Sequence, residues 1–133
     1  MNKLLMTLAC TIAFSAPAFA QQVTYACQYI KSAGLNWEKG KWNTSSFNLD
    51  KPFFLSTVGG SLTTNSVEKV LTSDSTFCHP TNSKKQTCSD RLGGSLIFNH
   101  DNELGGVAQL YGSIDNDANK DTLSVSPFTC TKM

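Results

Sequence analysis

Once the first twenty residues are set aside, four cysteines remain in this 133-residue chain: Cys27, Cys78, Cys88 and Cys130. Their pairing constrains the fold more than any other feature. A fifth, Cys10, lies inside what has the form of an export signal. Lys3 supplies a positive start, Leu4 to Phe14 an apolar run, and Ala18-Phe19-Ala20 a small-x-small cleavage site before Gln21. The expected organisation is therefore a cleaved signal peptide over 1–20 and a single exported β-rich domain over 21–133. An even cysteine count in a small exported domain predicts two disulfides. Four cysteines allow three connectivities, and the preferred one joins Cys27 to Cys130 and Cys78 to Cys88, because the outer pair would tie the first strand to the last. On the loop-entropy model the outer bridge contributes about 4–5 kcal/mol and the inner one about 2–3 kcal/mol.

Other readings of the leader fit less well. A membrane anchor needs about 20 apolar residues, and this run is shorter and broken by Pro17. Lipidation at Cys10 is disfavoured by the Thr7-Leu8-Ala9 lead-in and by the apolar sequence that continues beyond it. No second apolar run follows, so no transmembrane segment is expected after cleavage. The destination is the periplasm or, alternatively, the external medium. Eleven basic side chains stand against ten acidic ones. Loss of Lys3 with the signal leaves ten of each and no net charge, which is not the basic footprint of a nucleic-acid binder.

Residues 22–31 alternate, with Val23, Tyr25, Cys27 and Tyr29 on one face, and predict a half-buried strand. Gly40 marks a turn between Trp37 and Trp42. Pro52 opens a strand, PFFLSTV, which ends at Gly59-Gly60. Residues 65–72 suggest one short helix, with Asn65 as N-cap, Glu68 three residues on, and Val67, Val70 and Leu71 at helical spacing. A strand ending at Cys78 is followed by an expected polar loop, HPTNSKKQT. The last third gives three strands, SLIFN, VAQLYGSI and TLSVSPFTC, separated by HDNELGG and DNDANKD. They predict an antiparallel meander. The fold class is all-β or β-dominated, a small antiparallel barrel or sandwich stapled by two disulfides.

Candidate sites are few. Asp115, Asp117, Asn119 and Asp121 fall at the first four ligand positions of a calcium loop. Lys120 replaces the required glycine and Ser126 the bidentate glutamate, so a turn is preferred and no metal is expected. His100, Asp101 and Glu103 lie between two strands and are assigned to a turn. Cys78-His79 suggests thiol catalysis, but an oxidised cysteine cannot attack. No G-x-S-x-G elbow accompanies the two histidines, and the Gly59-Gly60-Ser61 and Gly93-Gly94-Ser95 runs are assigned to turns. No catalytic residue and no cofactor are expected. The strongest functional signal is aromatic: Trp37, Trp42, Phe47, Phe53 and Phe54 fall within eighteen residues, interleaved with Lys39, Lys41, Asn43 and Asn48. Core packing is the preferred reading for such residues. If exposed, Trp37, Trp42 and Phe47 would form a ligand-binding face for a protein, peptide or glycan.

With its export signal, an early strand carrying Cys27 and a compact stapled domain, the chain is similar in layout to small periplasmic β-barrel proteins, among them bacterial inhibitors of host lysozyme. The serine- and tyrosine-bearing loop that such inhibitors present to their target is missing here, so no residue role transfers. The leading expectation is a non-catalytic exported binding or interaction protein. The alternative is an inhibitor of a secreted hydrolase such as lysozyme, and a third reading is a small hydrolase with dispersed carboxylates.

Overall fold

A computed structural model describes residues 20–73, 75–82, 84–110 and 122–133. In chain order the elements are β1 (Gln22–Tyr29), β2 (Ala33–Glu38), β3 (Lys41–Ser46), β4 (Phe53–Val58), β5 (Ser61–Leu62), α1 (Thr64–Leu71), β6 (Thr76–Pro80), β7 (Lys85–Asp90), β8 (Gly94–Asn99), β9 (Leu104–Gln109) and β10 (Thr122–Lys132). The strands form one antiparallel sheet in the order β5-β4-β1-β10-β9-β8-β7-β6, with the β2–β3 hairpin branching from β10. The sheet curls into a nearly closed barrel, and the expected meander is β8-β9-β10. Among the described residues no helix is long and apolar enough to cross a membrane.

The alternation predicted for β1 places Tyr25 and Cys27 inside, opposite Leu55 and Phe53 of β4. Leu96, Phe98, Val107, Phe128 and Cys130 complete the core from the other side. The Phe128 ring packs against Phe98, Phe53 and Tyr29, with centroids 5.1–6.3 Å apart. Both expected disulfides are present, and each joins residues directly opposite across an antiparallel pair: Cys27 with Cys130, and Cys78 with Cys88. The Cys130 N–H donates to Glu103 of the β8–β9 turn. Cys27–Cys130 is thus a non-hydrogen-bonded pair, the closer of the two antiparallel spacings. Two such bridges suit an oxidising, extracellular-type environment.

The two ends of the sheet, β5 and β6, are not joined by a backbone ladder. Gln86 on β7 points inward across the gap, 7% exposed. Its Oε1 accepts from the Leu62 N–H and its Nε2 donates to the Gly60 carbonyl. Helix α1 lies against β4, β6 and β8 and buries Ser66, Val67, Val70 and Leu71 over the seam.

Three local expectations need correction. The helix is capped at Thr63 rather than Asn65: the Thr63 carbonyl takes the N–H of Ser66 and Val67 and the Ser66 hydroxyl. The chain leaves β5 at Leu62 and has no room for a longer approach. The polar stretch after Cys78 is mostly strand, β6 running to Pro80 and β7 starting at Lys85, because the Cys78–Cys88 pairing carries the ladder through Pro80 and Gln86. Gly105 and Gly106 belong to β9 and not to the preceding turn. A Cβ on Gly105 would sit 2.2 Å from the Phe128 ring, so this glycine makes room for the central aromatic.

Replacing Gln86 with Leu should cost about 1–3 kcal/mol, because the buried Leu62 N–H loses its acceptor. Urea unfolding measures this. Removing Cys27/Cys130 should cost roughly 2 kcal/mol more than removing Cys78/Cys88, since the larger loop restrains the unfolded chain more; equal losses would contradict the assignment.

Candidate functional site

The tryptophans belong to the region where β1 gives way to β2. Tyr29 stands opposite Phe128 of β10, yet Ala33 stands opposite Val125. Four steps on one strand thus match three on the other, which is a β-bulge at Ile30–Ser32. The Ile30 N–H donates to the Pro127 carbonyl at 2.9 Å. Proline has no N–H to return, so Pro127 sits in the one stretch of β10 where the ladder is already interrupted.

Side-chain polarity reverses across this line. In β10, Phe128 and Cys130 face the core, while Thr129 and Thr131 face outward. On the other side of Pro127 the inward residues are Thr122, Ser124 and Ser126, and the outward ones Leu123 and Val125. The same reversal runs through β2, where Gly34 and Asn36 continue the inner face and Ala33, Leu35 and Trp37 the outer. Gln109 and Ala108 do likewise in β9. Val125 is 57% exposed. At this end the barrel is polar inside and apolar outside, the opposite of what the core requires.

The β2–β3 hairpin extends the outer apolar face. Lys39 and Gly40, with φ of 53° and 77°, form its two-residue turn, as a type I′ connection demands. Trp37 and Trp42 are therefore directly paired, edge to face with centroids 5.4 Å apart. Trp37 is half-buried and Trp42 is 37% exposed. Because the Phe47 N–H donates to Ser32 at 3.1 Å, the backbone groups of Trp42, Thr44 and Ser46 point away from β2. Among the described residues no strand pairs with that edge.

Phe47 lines one cleft together with Trp37, Glu38 and Thr122, but not with Trp42. It continues the inner face of β3 and lines a polar cleft at the barrel mouth with Tyr29, Asp50, Gln109, Ser124 and Ser126. Phe53 joins the core, and Phe54 lies 58% exposed on the outer side of β4. The aromatic segment is thus divided among outer face, mouth and core.

The remaining candidates have structural partners. Cys78 is disulfide-bonded and holds no free thiol. His100 and Asp101 lie in the β8–β9 turn, where His100 Nδ1 is 3.4 Å from Asp101 and Lys84 Nζ is 2.8 Å from it. That pairing holds the Asp101 carboxyl below its usual pKa and the Lys84 ammonium above its own. Glu103 accepts from the Lys132 N–H. Asp115, Asp117, Asn119 and Asp121 lie outside the described residues, and no metal-binding cluster of three acidic, His or Cys side chains occurs among the described ones. Among the described residues, Asp50, Glu68 and Glu38 line three different clefts, one carboxylate in each.

Compared with known proteins, the chain matches no family model, no curated protein and no solved structure.

The sequence reading missed the mouth residues Tyr29, Asp50, Gln109, Ser124 and Ser126. Burial, and then the nearby Asp50 carboxylate, push the Tyr29 phenol up to about 12. The proton is held more tightly in the folded protein than in the unfolded chain, where tyrosine titrates near about 10. The resulting stability is complete below pH 10 and lost as pH rises to about 12. Stability measured across that window should fall, and Tyr29→Phe should reduce the slope; an unchanged slope would contradict the placement.

Proposed function

We propose that the chain is a non-catalytic exported binding protein that docks a protein partner on the outer face of β2, β3 and β10. The observation supporting this is the reversed polarity: Trp42 and Val125 are exposed, and half-buried Leu35 lies on the same outer face, on strands whose inner sides are polar. Burying apolar surface is worth about 25 cal/mol per Å². Leaving such a contiguous face wet gives up that stabilisation, and contiguous exposed apolar surface marks interaction sites. The open β3 edge adds backbone donors and acceptors beside it, the geometry of strand addition. The export signal and the two disulfides suit a partner met outside the cytoplasm.

Immobilised wild-type protein and the Trp37→Ala/Trp42→Ala variant should be exposed in parallel to periplasmic extract and host secretions. The expected result is a partner retained by the wild type alone. Identical retention on both would move the docking surface elsewhere.

A second reading, inhibition of a secreted hydrolase such as lysozyme, is favoured by a different observation. The β6–β7 and β8–β9 turns are clasped together by the Lys84–Asp101 ion pair and by the His100 N–H donating to the Lys84 carbonyl at 3.2 Å. Asn82 Oδ1 further ties down its own turn by accepting from the N–H groups of Lys84 and Lys85. Two rigid polar turns side by side are a shape that enters an active-site cleft. On this reading, lysozyme turnover of cell-wall substrate falls with added protein and recovers with Asp101→Ala. Full activity at a large excess of wild type would eliminate it.

A further inference from the structure

The inner side of the same end bears a site of different chemistry, and we infer that the mouth cleft binds a neutral saccharide. Its volume of about 230 Å³ is below the roughly 300–1,000 Å³ of drug-sized pockets. It suits a ligand of one or two sugar rings.

The lining narrows the chemistry. Among the described residues, hydroxyls come from Ser32, Thr122, Ser124 and Ser126, amides from Asn48 and Gln109 and a single carboxylate from Asp50, and no Lys, Arg or His lines the cleft. A phosphate or carboxylate ligand would meet Asp50 with no cation to offset it. An apolar ligand would strip water from these groups without replacing its hydrogen bonds. A ring carrying several hydroxyls can donate to Asp50 and accept from serine and amide groups, so it satisfies donors and acceptors together. The site is also organised in advance. The Ser126 hydroxyl donates to Ser32 Oγ at 2.8 Å, which leaves the Ser32 proton to be donated elsewhere. Tyr29 adds a phenol, which is protonated at physiological pH as any tyrosine is and can donate. Phe47 supplies the apolar surface that the C–H face of a sugar requires.

The polarity reversal gives this arrangement its weight. An inward Leu or Val at positions 124 and 126 would extend the core at no cost to the strand. The chain instead places serines there and carries Leu123 and Val125 outward. This site is separate from the outer docking face, so each can fail without the other.

The test is a residue-resolved NMR titration of the purified protein with glucose, N-acetylglucosamine and their linear trimers. The expected result is saturable amide shifts at Ser32, Asn48, Gln109 and Ser124 with at least one sugar. Loss of one charged or neutral hydrogen bond should weaken binding roughly tenfold in Asp50→Ala and in Ser124→Val. Asp50 is exposed, so its variant reports on binding even if the Ser124 variant folds poorly. Phe54→Ala, on the exposed outer side of β4, should leave the affinity unchanged. The inference is overturned if no sugar gives saturable shifts up to roughly 10 mM, if the shifts centre on Trp42, or if Asp50→Ala binds as tightly as wild type.

Discussion

Register is the constraint on which the rest of this structure depends, and the Cys27–Cys130 bridge holds it. A strand that slips by one residue turns every side chain to the opposite face. The bridge joins β1 to β10 at a single directly opposed pair, so neither strand can slip without breaking it. β10 in turn carries β9 on one side and β1 followed by β2 on the other. The phase fixed at Cys130 is transmitted along β10 to its first residue, Thr122. In β10 the reversed polarity beyond Pro127 is therefore a property of the amino-acid sequence laid on the unbroken β9–β10 ladder, while on the other side the bulge at Ile30–Ser32 brings β2 into that phase. It gives one end of the barrel an apolar outside and a polar mouth.

Closure is handled by different means. Full closure would remove the open edges of the sheet, yet β5 is only two residues long and cannot build a ladder to β6. A side chain does part of that work: Gln86 satisfies one donor and one acceptor of the β4–β5 hairpin from inside the barrel. Helix α1 then covers the gap with Val67, Val70 and Leu71. The seam is sealed, whereas the β3 edge at the far end of the sheet is left open. The unprotected edge and the apolar outer face coincide, and this coincidence favours docking over a purely structural explanation for either.

Much of the fold was legible in the sequence. The alternation of Val23, Tyr25, Cys27 and Tyr29, the Gly59-Gly60 turn and the C-terminal meander each carry a local signal, and the even cysteine count predicted the staples. What escaped was set by tertiary contact. Gln86 sits in a stretch of polar residues that has the composition of a loop, and only the distant Gly60 and Leu62 explain its burial. Gly105 resembles turn punctuation until the Phe128 ring is placed against it. The aromatic segment suggested one face, but Phe47 follows the inner phase and Trp42 the outer. One signal was present and went unread: in TLSVSPFTC the apolar residues are at 123 and 125 and then at 128 and 130, so they change parity at Pro127.

That parity change is the central claim, and solvent paramagnetic relaxation by a neutral gadolinium chelate tests it most directly. Methyl groups of Val125 should relax strongly and those of half-buried Leu35 to an intermediate degree, while those of Leu55, Leu96 and Val67 remain protected, as their burial requires. The contrast should persist when Cys78 and Cys88 are replaced by alanine, because register at this end is held by the other bridge. Protection of the Val125 and Leu35 methyls to the level of Leu96 would contradict the account: it would place these side chains in the core and remove both the apolar outer face and the polar mouth.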